Sequence, residues 1–327
     1  MKKTDKIQSV PNVAEPTQAL PADKTTPKPK VDIGKVMEMI FQGYGAGGND
    51  QAKQVACKII KEYLNQIICE TPIAKQYNFL ILYDSTTMVK SDADNIYSAV
   101  TSFKENKPLL MILLSNGGEI GSAYLIGKLC REYSHGKFLV SVPRQAKSAA
   151  TLLCCSADEI HMGSLSELGP IDPQINRLPA LGLKNSIEHI ASLVKETPES
   201  AEMFAKYLHY SLKPIDLGYY ERVAESAVQY ATMLLDTHRD GLPKKPEMIA
   251  YSLVYRFKDH GFVIDKGEAQ RILGNTIVKT DTPEYQLGNA IYKALSAIEG
   301  SLRWLKYNFY FIGSCDADPM IRKMIDI

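Results

Sequence analysis

The rhythm of apolar and polar positions changes twice along the chain. Over residues 33–70 apolar residues recur at helical spacing, interrupted by the glycine-rich run GYGAGGND. Asn49 or Asp50 can cap the helix that resumes over 51–68. The pattern then shifts to short, continuously apolar runs at 79–83, 108–114, 138–142 and 159–162. Between them lie amphipathic stretches at 91–103, 119–133 and 148–156 that read as helices. Unbroken apolar strands alternating with helices predict an α/β fold around a parallel sheet covered on both faces.

Beyond Pro173 the texture turns helical, with candidate helices at 184–195, 198–212, 216–238, 246–258, 266–273 and 283–299. An aromatic-rich stretch follows, with Trp304, Tyr307, Phe309, Tyr310 and Phe311, suited to docking on the core or on a neighbouring subunit. At the other end, Pro11, Pro16, Pro21, Pro27 and Pro29 are spaced by Lys, Thr and Gln, so this segment buries too little apolar surface to offset its ordering entropy. The resulting division is a disordered tail over 1–31, a helical extension over 32–74, a main domain over 75–300 that is largely helical at 175–258, and an aromatic-rich tail over 301–327.

Composition narrows the function classes. Among 327 residues, 38 Lys and Arg balance 37 Asp and Glu, which argues against a dedicated nucleic-acid or anionic-membrane surface. Six scattered cysteines contain no CxxC pair, which argues against a disulfide scaffold or a cysteine-rich zinc site. No apolar core follows the early lysines as a signal peptide requires, and no run reaches the ~18 apolar residues of a membrane span. The expectation is a soluble, cytoplasmic protein without metal or cofactor.

Three motifs carry candidate chemistry. Gly43 to Gly48 formally satisfies GxGxxG, but the preceding KVMEMIF reads as helix, so a flexible link between helices is favoured over a dinucleotide fingerprint. Ser115-Asn116-Gly117-Gly118 stands where the strand at 108–114 meets the next helix. It is either a tight turn or a source of N–H groups for an oxyanion. Lys147-Ser148-Ala149-Ala150 occupies the following strand-to-helix junction. There Ser148 is either a helix cap or a nucleophile on a sharp elbow flanked by small residues. The two junctions are successive loops on one sheet edge, so together they can offer a peptide carbonyl both an alcohol and backbone donors.

The blocks LLSNGGEIGSAYLIGKL (113–129), VPRQAKSAATLLCCSADEIHMG (142–163) and LGPIDPQI (168–175), with a weaker HGFVIDKGEAQRIL (260–273), resemble the ClpP/crotonase superfamily. Within it they are most similar to the ClpP-like serine proteases of the serine dehydrogenase proteinase (SDH_sah) family. The resemblance implies a spiral of ββα units, peptide or protein substrates and a homo-oligomer. It implies Ser148 as nucleophile, an oxyanion hole from Gly117 or Gly118 with Ala149, and a Ser, Asp, His order that fits Ser148, Asp172 and His260.

The base has rivals. More distantly, the chain resembles S49 proteases acting on membrane-protein fragments with a Ser–Lys pair, for which Lys184 is the best-placed lysine and Lys147 adjoins the serine. An inactive oligomeric scaffold is the other alternative. Of six histidines, His135 precedes a strand, His161 lies within one, and His189, His209 and His238 fall on helices. His260 stands at a helix end beside Gly261, where it is a triad base or a helix C-terminal cap. Asp172, between Pro170 and Pro173, is a triad carboxylate or a turn residue, and Cys154 and Cys155 are core residues.

Overall fold

The computed structural model describes residues 32–175, 178–238 and 241–324; the proline-rich tail expected over 1–31 lies outside them. The chain runs α1 (Ile33–Glu70), β1 (Asn78–Asp84), α2 (Lys90–Ser102), β2 (Leu109–Ser115), α3 (Ile120–Tyr133), β3 (Phe138–Val142), β4 (Gln145–Ala146), α4 (Ala149–Cys154), β5 (Glu159–Met162) and β6 (Glu167–Leu168). A hairpin of β7 (Gln174–Ile175) and β8 (Leu178–Pro179) leads into α5 (Ala180–Glu196), α6 (Ala201–Ser211), α7 (Pro214–Leu235) and α8 (Pro246–Tyr255). After them come β9 (Ile264–Asp265), α9 (Lys266–Leu273), β10 (Val278–Thr280), α10 (Pro283–Trp304), β11 (Tyr307–Ser314) and β12 (Met320–Lys323).

The main sheet has the order β10-β5-β3-β2-β1-β11-β12. Its first five strands are parallel, and β11 pairs antiparallel with β1. The short strands branch away: β4 pairs with β6, and β6 with β9. Thus β3 is followed by β4 and α4, one ββα unit as the resemblance implies, and β5 by β6, whereas β1 and β2 lead directly into helices; the whole is a mixed α/β fold.

Continuous apolar strands are explained by burial on both faces. Leu80, Leu82, Leu109, Met111 and Leu113 point into the core shared with α2, α3, α4, α7 and α8. Their neighbours Phe79, Ile81, Tyr83, Leu110, Ile112 and Leu114 point into the core formed by α1 and α10. Helix α10 supplies the stripe Leu287, Ile291, Leu295, Ile298 and Leu302 to that second core, the 3.6-residue repeat of a helix buried along one side.

Two readings left open by the pattern are resolved. The glycine-rich run bends α1 at Gly47 and Gly48, which leave helical geometry, and it follows a helix rather than a strand, so the dinucleotide fingerprint is not formed. The aromatic segment set apart as a tail instead forms β11, with Tyr307, Phe309 and Phe311 buried against the α1–α10 core. Its alternation of aromatic and polar residues is a strand pattern, and β1 offers it an unpaired edge.

Two histidines, His161 buried and His238 partly buried, fasten the layers. On β5, His161 Nδ1 lies 2.8 Å from Thr282 Oγ1, with Glu159 at 3.4 Å and Glu284 at 3.7 Å. His238, past the end of α7, meets the Cys155 carbonyl at 2.8 Å. Burial lowers both pKa values below 6.5, so both rings fold neutral. Between each lowered value and 6.5 the unfolded chain binds protons the folded chain refuses, so stability declines as pH falls through that window. Denaturant midpoints should therefore drop as pH falls through 6.5 toward the lowered values, and His238→Gln should flatten that dependence. An identical slope in the variant would show that His238 does not contribute.

Candidate active site

Strand β2 ends at Ser115, whose hydroxyl is fully buried and accepts the Gly117 N–H at 3.1 Å. The loop then passes beside Met88, whose N–H donates to Gly117 O at 2.8 Å and whose carbonyl accepts from Glu119 N at 2.9 Å. These bonds run to the residues flanking Gly118, so the Gly118 N–H faces the other way, and Gly118 lines a cleft of ≈ 460 Å³. Both glycines are required. Gly117 has φ 96° and Gly118 φ 152°. A Cβ on Gly117 would lie 2.7 Å from Lys147 O and 2.8 Å from Ser148 Cβ; one on Gly118 would lie 2.3 Å from Met88 O.

The Lys147–Ser148 loop meets this turn directly. Lys147 N–H donates to Ser115 O at 2.9 Å, and Ser115 pairs with Ala146. Ser148 follows with φ 50° and ψ −117°, a backbone state that costs about 1–3 kcal/mol outside glycine. The surrounding structure holds it there. Every residue of α4 is buried, and Thr151 Oγ1 donates to Ala146 O at 2.6 Å while accepting Gly169 N–H at 3.0 Å. The Ser148 hydroxyl makes no capping bond to α4, so the cap reading fails. Ser148 and Ala149 line the same cleft as Gly117 and Gly118.

His260 also lines this cleft, and it alone of the six histidines does so. It does not stand at a helix end as expected. Helix α8 stops at Tyr255, and His260 sits in a turn closed by Phe262 N–H to Asp259 O at 3.1 Å and Gly261 N–H to Asp259 Oδ1 at 3.0 Å. Its Nδ1 lies 3.7 Å from Asp172 Oδ2. Asp172 is buried, and neither its Oδ1 nor His260 Nδ1 has a hydrogen-bond partner. A buried carboxylate without other partners facing an imidazole Nδ1 leaves Nε2 as the nitrogen directed away from the acid, on a ring that borders the cleft. The separation exceeds a hydrogen bond, and such links commonly tighten only when substrate closes the site.

The lysines fall elsewhere. Lys184 on α5 is half exposed, pairs with Glu221 at 3.9 Å and does not line the cleft. Lys147 Nζ turns away from Ser148 to Glu167 Oε2 at 3.0 Å. Cys154 and Cys155 are buried as expected; burial pushes both thiols up, Cys155 to about 12, so neither competes as a nucleophile. Among the described residues no cluster of His, Cys, Asp and Glu is arranged to hold a metal, and no helix is long and apolar enough to cross a membrane.

Sequence reasoning missed Asn116. Its amide donates to Ser85 O, and its oxygen accepts from Gln145, so it braces the glycine turn between two loops. The available signal was its position at the carboxyl edge of β2 inside a glycine motif. Ser115 was likewise read as part of a turn, without its hydroxyl's role in holding Gly117.

Residues 53–198 match the family model of the ClpP-like SDH-type serine proteinases. The matched stretch includes Ser148 and Asp172 and ends before His260. The uncharacterized protein MJ0137 of Methanocaldococcus jannaschii is 32% identical over 97 residues, covering 30% of this chain and 34% of that protein. MJ1495 of the same organism is 32% identical over 92 residues, covering 28% and 31%. The chain thus spans about a third of the length of the curated relatives it matches. Among solved structures, a serine-to-alanine mutant of the 1510-N membrane-bound stomatin-specific protease aligns with TM-score 0.40 and 12% identity, over 69% of this chain and 86% of that one. A lysine-to-alanine mutant in complex with a substrate peptide aligns with TM-score 0.41 and 11% identity, over 76% and 88%.

Replacing Gly118 by Ala drives a methyl into Met88 backbone and should destabilise the fold by more than the ~1–3 kcal/mol of backbone strain alone. Gly45→Ala, with open space around it on α1, should be neutral or stabilising by up to about 1 kcal/mol. Urea denaturation of the two variants reads the contrast, and equal stabilities would contradict this account of the turn.

Proposed function

We propose that the protein is a serine peptidase that cleaves peptide bonds through an acyl-enzyme at Ser148. The observation that carries this reading is the strained Ser148 elbow set against the Gly117–Gly118 turn in one cleft with His260. The family match over 53–198 supports the same chemical class.

The division of labour follows from the groups present. His260 takes the Ser148 proton as Oγ attacks the substrate carbonyl carbon. The oxyanion that forms accepts N–H groups from Gly118 and Ala149, while Gly117 contributes the absence of a side chain. The imidazolium formed at His260 is stabilised by Asp172, then returns its proton to the leaving amine. Water, deprotonated by His260, next attacks the ester and releases Ser148. Backbone donors fixed before substrate arrives need no reorganisation as charge develops, and removing one such donor typically costs about 10²–10³ in rate.

The Ser–Lys reading is less favoured because Lys184 is exposed and paired and Lys147 is turned toward Glu167. The inactive-scaffold reading leaves the strain at Ser148 without a purpose. Substrates are polypeptides, and assembly into homo-oligomers follows from the family resemblance; sedimentation measures the latter.

Reaction with a fluorophosphonate probe tests the site. Ser148→Ala should abolish labelling. His260→Ala and Asp172→Asn should each slow peptide hydrolysis by about 10³–10⁴, and Lys184→Ala should leave it unchanged. Wild-type hydrolysis by His260→Ala would remove histidine from the mechanism.

A further inference from the structure

Lys147 directly precedes Ser148, yet its side chain leaves the cleft. Its stem runs over Gly169, where an added Cβ would lie 2.7 Å from Lys147 Cδ. Its ammonium is 3.0 Å from Glu167 Oε2 and 3.4 Å from both Leu168 O and Phe262 O. The side chain is 15% exposed. Each contact belongs to a different part of the site. Lys147 itself is on the nucleophile loop. Glu167 and Leu168 form β6, which leads within four residues to Asp172. Phe262 is two residues past His260, in the same turn. The β6–β9 pairing, Leu168 with Ile264, lets these segments converge on one cation.

Resting on the Ser148–Asp172–His260 reading, we infer that Lys147 is a positioning residue: its ammonium sets the His260 turn and the Asp172 segment at a fixed place relative to the nucleophile. The geometry suits this role. A partly buried ammonium bound to a carboxylate and two carbonyls is committed as a donor. Otherwise the His260 turn is held by local hydrogen bonds to Asp259 and by the Phe262 ring on Phe257, 4.7 Å between centroids. A base displaced by about 1 Å can lose 10²-fold in rate, so an anchor at Phe262 O bears directly on turnover.

Three variants test this, each followed by kcat and KM on a peptide substrate, fluorophosphonate labelling and thermal unfolding. Lys147→Met keeps the stem over Gly169 and loses the charge; kcat should fall about 10- to 100-fold, with KM nearly unchanged because Lys147 does not line the cleft. Lys147→Arg should restore most of kcat, since a guanidinium can hold the same acceptors. An arginine cannot act as a base, so if Lys147→Arg is as inactive as Lys147→Met, lysine is the base and the positioning role is overturned. Glu167→Gln, which keeps the volume, should lower kcat in the same direction and serves if Lys147→Met fails to fold. Wild-type kcat in both Lys147→Met and Glu167→Gln overturns the inference alone, provided labelling still requires Ser148. Labelling that persists in Ser148→Ala overturns the site reading and the inference together.

Discussion

The structure turns on one close passage of backbone past backbone. Where β2 gives way to Gly117, the chain runs so near Lys147 and Ser148 that no side chain fits between them. The hydrogen bond from Lys147 N to Ser115 O fixes this approach from one side, and the Ser115 hydroxyl fixes the glycine turn from the other. A serine forced to positive φ is unfavourable by itself. It persists because the α4 that follows is entirely buried, so relaxing the elbow would pull apolar side chains out of the core.

The second element of the site is held quite differently. Asp172 and His260 come from segments far apart in sequence and lie on loops rather than on strands or long helices. What brings them together is the small layer formed by β4, β6 and β9, together with the bond from Ile171 N to Leu253 O. In the proposed acyl transfer the sheet ends would carry the serine and the backbone donors, and the loops the imidazole and the carboxylate. The donors must be in place before charge develops, whereas the imidazole must exchange protons with several partners in turn.

Much of this was readable in the sequence, for reasons that can be named. The strands at 138–142 and 159–162 were found to the residue because burial on both faces leaves an unbroken apolar run. The junctions at Gly117 and Ser148 were found because glycine and small residues at strand ends have few other uses. The aromatic strand β11 was hidden, since pairing with β1 is a contact between the two ends of the chain and leaves no local mark. The direction of Lys147 was hidden too. Its neighbourhood at Gly169 and Glu167 exists only after β4 and β6 pair. His260 was read as a helix terminus because nothing in the local pattern shows that α8 stops five residues earlier.

The pairing of β1 with β11 also has a bearing on how the sheet is assembled. Strand β1 sits inside the sheet only because β11, a segment distant in sequence, covers its outer edge. That edge stays open until β11, more than 200 residues further along the chain, reaches it. Closing so long a loop costs entropy before the contact repays it, so the β1–β11 pairing belongs among the slow, non-local steps of folding.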